Sequence, residues 1–590
     1  MNLSLTDQVI IIAFLLLSLL IGISFARQAG KSSKNFFLSG RDMPWWLLGI
    51  SMVATTFSAD TPNLVTDIVR AHGVAGNWTW WAFLLTGMLT VFVYARLWRK
   101  SGVMTDLEFY ELRYSGQKAA LLRGFRALYL GVVLNVLIMA SVTLAAIKIA
   151  GIMLGISPVQ TVIIASVVTV IYSALGGLKG VIVTDFFQFI LAMVGAVGAC
   201  IIIVNLPQVG GLNSLLSAEA VRDKLSLVPD FNDPSIYLPI FLIPLLVQWW
   251  SVWYPGAEPG GGGYIAQRMF AAKTEKHAVG ATLLFNIAHY ALRPWPWILI
   301  ALASLVVFPE LSDIKSAFPT IDDKILKNDL AYPAMLTYLP SGFLGLVLAS
   351  LIAAFMSTLS THLNWGASYI THDFYKRFID PDVSEKKLVS IGRWSTLFLM
   401  AAAALLALAM SNALEAFEIL LQVGAGTGLL FILRWFWWRI NAWSEIAAMI
   451  ASFIIALFLS IIWKKAGWPE LPSHIKLLLG VAGTTVAWVV VTLVTKPTDH
   501  ETLLRFYRTI RPHAAGWSKF LKQHNQETLP SGSFINEILA MLIACTMVIG
   551  VLFATGFVIY GLYTKAIIFG VIAVLSTASL IVVWKKLRFV

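Results

Sequence analysis

Long apolar runs recur along the whole chain, broken by short polar or basic links. The first lies near 5–26. A set follows near 44–70, 77–98, 122–154, 157–175 and 179–205, and a second near 236–266, 278–307, 333–368, 388–411 and 414–438. Four more, near 441–463, 474–495, 536–563 and 565–586, close the chain. A membrane-spanning helix takes about 20 apolar residues, so the pattern predicts an all-α polytopic membrane protein of about fifteen helices. Two sets of five with opposite orientation permit an inverted structural repeat, for which little sequence trace is needed. The pattern divides the chain into 1–43 (an extra N-terminal helix and loop), 44–205 and 236–438 (two repeats of five core helices), and 441–590 (appended helices).

Composition sharpens this. Of 590 residues, 58% are hydrophobic and 13% charged, with mean hydropathy +0.78, against about 25% charged in soluble domains. A water-soluble fold is excluded. The net charge of +12 does not imply a nucleic-acid partner, because about three quarters of the Lys and Arg fall in loops on one side of the predicted spans, the cytoplasmic side by the positive-inside rule. The expected protein is multi-pass in a cell membrane, plasma or inner, with its N-terminus outside and its C-terminus in the cytoplasm. Arg27, Lys31 and Lys34 follow the first apolar run rather than precede it, so that run reads as a retained helix and not a signal peptide. Cys200 and Cys545 both lie in apolar runs, which leaves no disulfide framework or Cys-rich metal site. In the longest basic loop, about 496–535, Leu503, Leu504, Phe506, Tyr507 and Ile510 alternate with Arg505, Arg508 and Arg511, the pattern of an amphipathic helix at the membrane surface.

Several spans carry residues that cost free energy in lipid. Ser51, Thr55, Thr56, Ser58, Asp60 and Pro62 interrupt the second run. Proline removes a backbone donor, and the carbonyls it frees are tolerated at membrane depth only where they line a cavity or meet a ligand. A second break, Trp249 to Tyr264, includes Trp253, Glu258 and a glycine run and opens the second set of five. Breaks at corresponding positions of two halves point to a transporter binding site. Ser357, Thr358, Ser360 and Thr361 crowd one span with hydroxyls, and hard cations such as sodium prefer oxygen ligands.

Asp185 is an intramembrane carboxylate and so a functional candidate. Arg293, deep in its span, needs acceptors, for which Asp60, Glu258, Glu418, Gln422 or an anionic solute group are candidates. Lys148 lies nearer a helix end, where it either contacts solute or reaches to the headgroups. His289 and His362 lack metal-ligand spacing and read as structural.

The stretch Asn35-Phe-Phe-Leu-Ser-Gly-Arg-Asp-Met-Pro-Trp-Trp-Leu-Leu-Gly-Ile-Ser-Met-Val-Ala-Thr-Thr-Phe-Ser58 resembles the opening signature of the sodium:solute symporter family. Tyr172 to Lys179 with Thr184 to Gln188, then Gln267 to Lys273, then Ala353 to Asn364 with Asp373 to Lys376, resemble its later landmarks in the same order. The resemblance covers about residues 7–440. It implies a five-plus-five inverted repeat like that of the leucine transporter, with one extra N-terminal and about four C-terminal helices. Its characteristic sodium site falls on the carbonyls of Ala54 and Phe57, on Ala354, and on the hydroxyls of Ser357 and Thr358. The carboxylate used by some members for a further ion, or for coupling, falls on Asp185. The basic residue of sugar carriers falls on Arg293. The tenth core helix has Glu418, Leu421 and Gln422 where sugar carriers tend to show glutamines, and the glycine-rich 255–263 departs from the usual sixth core helix. Candidate solute contacts are thus Ser58, Asp60, Trp253, Glu258, Arg293, Glu418, Gln422 and Lys148. The expected activity is sodium-coupled import of a small polar solute (sugar, amino acid or organic acid) by alternating access, with Na+, the solute and the bilayer as partners and the oligomeric state open. Two alternatives are a solute sensor on the transporter fold, which requires an attached signalling domain, and, on the Asp380-Pro-Asp382 pairing, a polytopic membrane transferase.

Overall fold

The computed structural model describes residues 3–587 other than 57, 155, 252–257, 320–325, 411–425 and 530–531, and omits the side chains of residues 148, 152, 461 and 464. Among the described residues, eleven helices are long and apolar enough to cross a membrane. Most of the difference from about fifteen apolar runs has physical causes. Pro158–Val204 is continuous helix except at Gly177, whose φ of 54° turns the chain sharply and divides it into the fourth and fifth core helices. A Cβ at Gly177 would sit 2.8 Å from the Phe36 carbonyl, so the crossing there also needs glycine. Two further spans are each split into short helices. The tenth core helix, near 414–438, is described only from residue 426 and so does not enter the count.

The first split span consists of Trp45–Thr55 and Thr61–His72, the second half opening with Pro62 in its first turn, where the missing N–H costs nothing. The second consists of Pro234–Leu246 and Gly263–Ala271. The glycine run between them has a structural purpose: Gly260, Gly261 and Gly263 have φ of 88°, 79° and 55°, a region other residues rarely enter. The turn brings the Gly263 N–H onto the Asp106 carboxylate at 2.9 Å, which satisfies an otherwise orphaned donor at the helix start. The two split helices open the two halves of a five-plus-five inverted repeat.

The eighth core helix, Phe343–Ile379, is buried along most of its length and packs along Pro158–Val204. The N-terminal helix Leu5–Ala29 touches the eighth core helix and packs along Pro158–Val204. They approach at small residues: a Cβ at Gly22 would come within 2.5 Å of the Tyr172 Cβ, the close backbone contact that drives helix association in lipid. Ala442–Ser460, Ser473–Val494, Phe534–Ile559 and Tyr563–Trp584 are the four appended spans.

The amphipathic helix is present, as His500–Ile510, but its apolar face does not lie free for the bilayer. Leu503, Phe506, Tyr507 and Ile510 are buried, with Phe506 stacked on Trp517 at 5.7 Å and edge-on to Phe109 at 5.8 Å. The helix is docked on the protein because buried Arg113, held by the carbonyls of Arg434, Trp437 and Trp438, offers its guanidinium face to Phe506 and Trp517 at 5.3 and 5.1 Å. That cation–π seat is invisible in the pattern of one helix.

Candidate ion and solute site

The half-helix Trp45–Thr55 ends inside the protein, so its last carbonyls carry partial negative charge and lack helical partners. Two groups from distant sequence meet this helix end. Thr358 in the eighth core helix points its hydroxyl at the Thr55 carbonyl (3.2 Å) and at its own Ala354 carbonyl (3.1 Å). Thr361, one turn on, places Oγ1 3.0 Å from Thr55 Oγ1. Ala54, Ala354, Ser357 and Thr358 are all buried at this crossing. Phe57 lies outside the described residues.

Asp185 of the fifth core helix closes the same cluster. Its Oδ2 accepts from Ser51 Oγ at 2.5 Å and its Oδ1 from Ser357 Oγ at 2.7 Å. Arg268 provides the counter-charge: Nη2 is 3.5 Å from Asp185 Oδ2 and donates to Thr361 Oγ1 at 2.7 Å and to Thr55 Oγ1 at 3.1 Å, while Nε donates to Ser51 Oγ at 3.0 Å. Both side chains of the pair are fully buried. The sequence does not mark Arg268 as a site residue, because near a basic loop an arginine reads as an orientation signal. Its signal is its place just past the second break, on the short half-helix Gly263–Ala271.

Arg293 also finds the helix break. Its Nη1 donates to the Val53 carbonyl at 2.7 Å and to Thr56 Oγ1 at 3.3 Å, and its Nη2 to the Thr56 carbonyl at 3.1 Å. At the break its acceptors are thus two backbone carbonyls and the Thr56 hydroxyl. The physical reason is that a helix C-terminus presents several carbonyls at once, a good seat for a cation. The guanidinium also stacks on Trp297 at 5.1 Å.

Beyond the break, Ser58 is half-buried and the Asp60 side chain is exposed at the start of Thr61–His72. Glu258 is placed differently: the charged groups around it are Asp106, Arg126 and Arg434, and its carboxylate lies against Gly262. The structure thus brings Ala54, Ala354, Ser357, Thr358, Asp185 and Arg293 to one crossing and sets Glu258 apart. Trp253, Glu418 and Gln422 lie outside the described residues, as does the Lys148 side chain. His362 bonds through Nδ1 to Asn135 Oδ1 at 2.7 Å.

Comparison with known proteins bears on this geometry. A model of the sodium:solute symporter family matches residues 36–466. The sodium/glucose cotransporter of Vibrio parahaemolyticus is 27% identical over 444 residues, covering 73% of this chain and 80% of its own length. The human sodium/myo-inositol cotransporter 2 is 26% identical, covering 76% of this chain and 69% of its own. Among solved structures, a sodium-coupled sialic acid symporter in a substrate-bound outward-open state superposes with a TM-score of 0.67 at 21% identity, over 84% of this chain and 99% of the other. These relatives are transporters, not enzymes.

Proposed function

The chain belongs to the sodium:solute symporter family, and from that premise we propose that it imports a small polyhydroxylated solute, a sugar or cyclic polyol, together with sodium by alternating access. The relatives named for glucose and myo-inositol support the solute class. One observation carries the ion site: the Thr358 hydroxyl stands 3.2 Å from the Thr55 carbonyl across the break of the first core helix. Proximity of carbonyl and hydroxyl oxygens from two helices gives a hard cation neutral ligands. On this reading sodium is held by the carbonyls of Ala54, Phe57 and Ala354 and the hydroxyls of Ser357 and Thr358, and Asp185, hydrogen-bonded to Ser357, couples the ion to the fifth core helix.

Sodium held there ties the first core helix to the eighth and favours the conformation in which they touch. A ligand shifts a conformational equilibrium only by its difference in affinity for the two states. Inward opening separates the helices, removes part of the ligand set and releases the ion into a low-sodium cytoplasm, which the basic loops and the C-terminus face. The solute occupies the adjoining space bordered by Ser58, Asp60 and Arg293, with Trp253, Glu418, Gln422 and Lys148 proposed as further contacts.

The test is sodium-driven counterflow in liposomes. Replacing Ser357 and Thr358 together by alanine is expected to raise the sodium concentration for half-maximal transport about tenfold, or ~1.4 kcal/mol of lost binding. An unchanged sodium activation curve in the double variant refutes the site.

A further inference from the structure

We propose that His289 is a specificity-determining residue whose Nε2 accepts a hydrogen bond from a hydroxyl of the transported solute; this rests on the symport reading above. His289 sits in a π-helical turn, Ala288–Leu292, one turn before Arg293 on the seventh core helix. Such turns interrupt regular helix bonding and occur disproportionately at functional sites. Its ring is half-buried, and Nδ1 lies 3.3 Å from Thr56 Oγ1 at the break of the first core helix.

The hydrogen-bond inventory at Thr56 is met in full by one tautomer of His289. A hydroxyl has one proton and two acceptor sites. The Thr56 proton points back to its own helix, with the Val53 carbonyl at 2.9 Å and the Met52 carbonyl at 3.2 Å. One acceptor site takes Arg293 Nη1, and in that tautomer an Nδ1–H of His289 donates to the other. A neutral imidazole protonated on Nδ1 has a bare Nε2 on the far side of the ring. That atom has no hydrogen bond among the described residues and is not among the sealed, unpartnered atoms of the interior. In that tautomer it is an acceptor on a half-buried ring beside the helix break.

The neighbouring surface narrows the ligand chemistry. Trp80 stands edge-on to the His289 ring at 5.6 Å and stacks on Tyr290 at 5.8 Å, and its indole N–H is already used on Asn77 at 2.8 Å. What remains of half-buried Trp80 is ring surface. An apolar ring face beside a bare nitrogen acceptor suits a molecule with C–H faces and O–H edges, a cyclic polyol or pyranose. It does not suit a carboxylate, which has no proton to give Nε2.

The experiment uses the full-length protein in proteoliposomes, with radiolabelled glucose, mannose and myo-inositol as probes and sodium-dependent thermal stabilisation as a separate readout. His289→Asn keeps an atom near Nδ1 to bond Thr56 but removes the acceptor at Nε2; His289→Gln reaches to the Nε2 position with an amide oxygen. The expected result is that His289→Asn raises the KM for the transported probe by tenfold or more, His289→Gln by threefold or less, and neither moves the sodium concentration for half-maximal stabilisation. Two results overturn the proposal: equal losses in both variants, or a parallel loss of solute and sodium affinity, which marks His289 as a support of Thr56 only. If the wild-type protein takes up none of the three probes while sodium still stabilises it, the polyol reading fails and this assignment with it.

Discussion

At the centre of the molecule Asp185 and Arg268 are both sealed from water, and each makes sense only with the other. Burying one charge is costly, and breaking a buried pair by removing one partner costs about 3–5 kcal/mol because the other is left uncompensated. The two also belong to different elements, the fifth core helix and the second half of the sixth, so the pair fastens the helices that border the ion crossing. Asp185→Asn is expected to lower the melting temperature and to raise the sodium requirement, since the Asp185–Ser357 bond orients a proposed ion ligand. Adding Arg268→Gln should restore most of the thermal stability without restoring sodium affinity. Double-mutant analysis separates the two effects. If the sodium activation curve of Asp185→Asn overlays the wild type, the carboxylate is structural only.

Helices here meet through what they lack as much as through what they carry. Gly22 has Tyr172 Cβ 2.5 Å from where its own Cβ would be and Tyr172 Cα at 2.7 Å, so no side chain fits without moving the N-terminal helix off Pro158–Val204. Overpacking of this sort costs about 1–3 kcal/mol. Gly570, in the final span, has nothing within 4 Å of the same position. Gly22→Leu should therefore lower thermal stability measurably, whereas Gly570→Ala should leave it unchanged; equal melting temperatures for both would show that the N-terminal helix contributes no packing energy. Sequence alone marks both residues as glycine in an apolar run and cannot rank them.

Across the whole molecule, the C-terminal region is integrated with the core. His500–Ile510 covers Phe109 and Trp435, which belong to the link after the second core helix and to the end of the tenth. Because this face is buried by protein, amide hydrogens over residues 503–510 should exchange slowly in detergent, where no bilayer is present. Truncating a large buried aromatic costs about 3–5 kcal/mol, so Phe506→Ala should make this segment exchange quickly while the spans stay protected. Fast exchange in the unaltered protein would return the helix to the membrane surface.

The parts of this protein readable from sequence are those set by the solvent. Lipid requires long apolar runs, makes a proline or aspartate within them stand out, and sorts arginines by side. That sufficed for an all-α transporter with two broken helices and for the oxygen-rich stretch at Ser357 and Thr358. What the folded structure decided were the partners. Arg293 bonds to the Val53 and Thr56 carbonyls, Glu258 lies with Asp106 and not at the crossing, and the face of His500–Ile510 turns inward. His289 becomes a candidate only because Thr56, more than two hundred residues earlier, stands 3.3 Å from its Nδ1. The reason is physical: hydropathy is a property of each segment in its solvent and is local. Pairing of charges, carbonyls and aromatic faces depends on which helices cross, and no single segment carries that information.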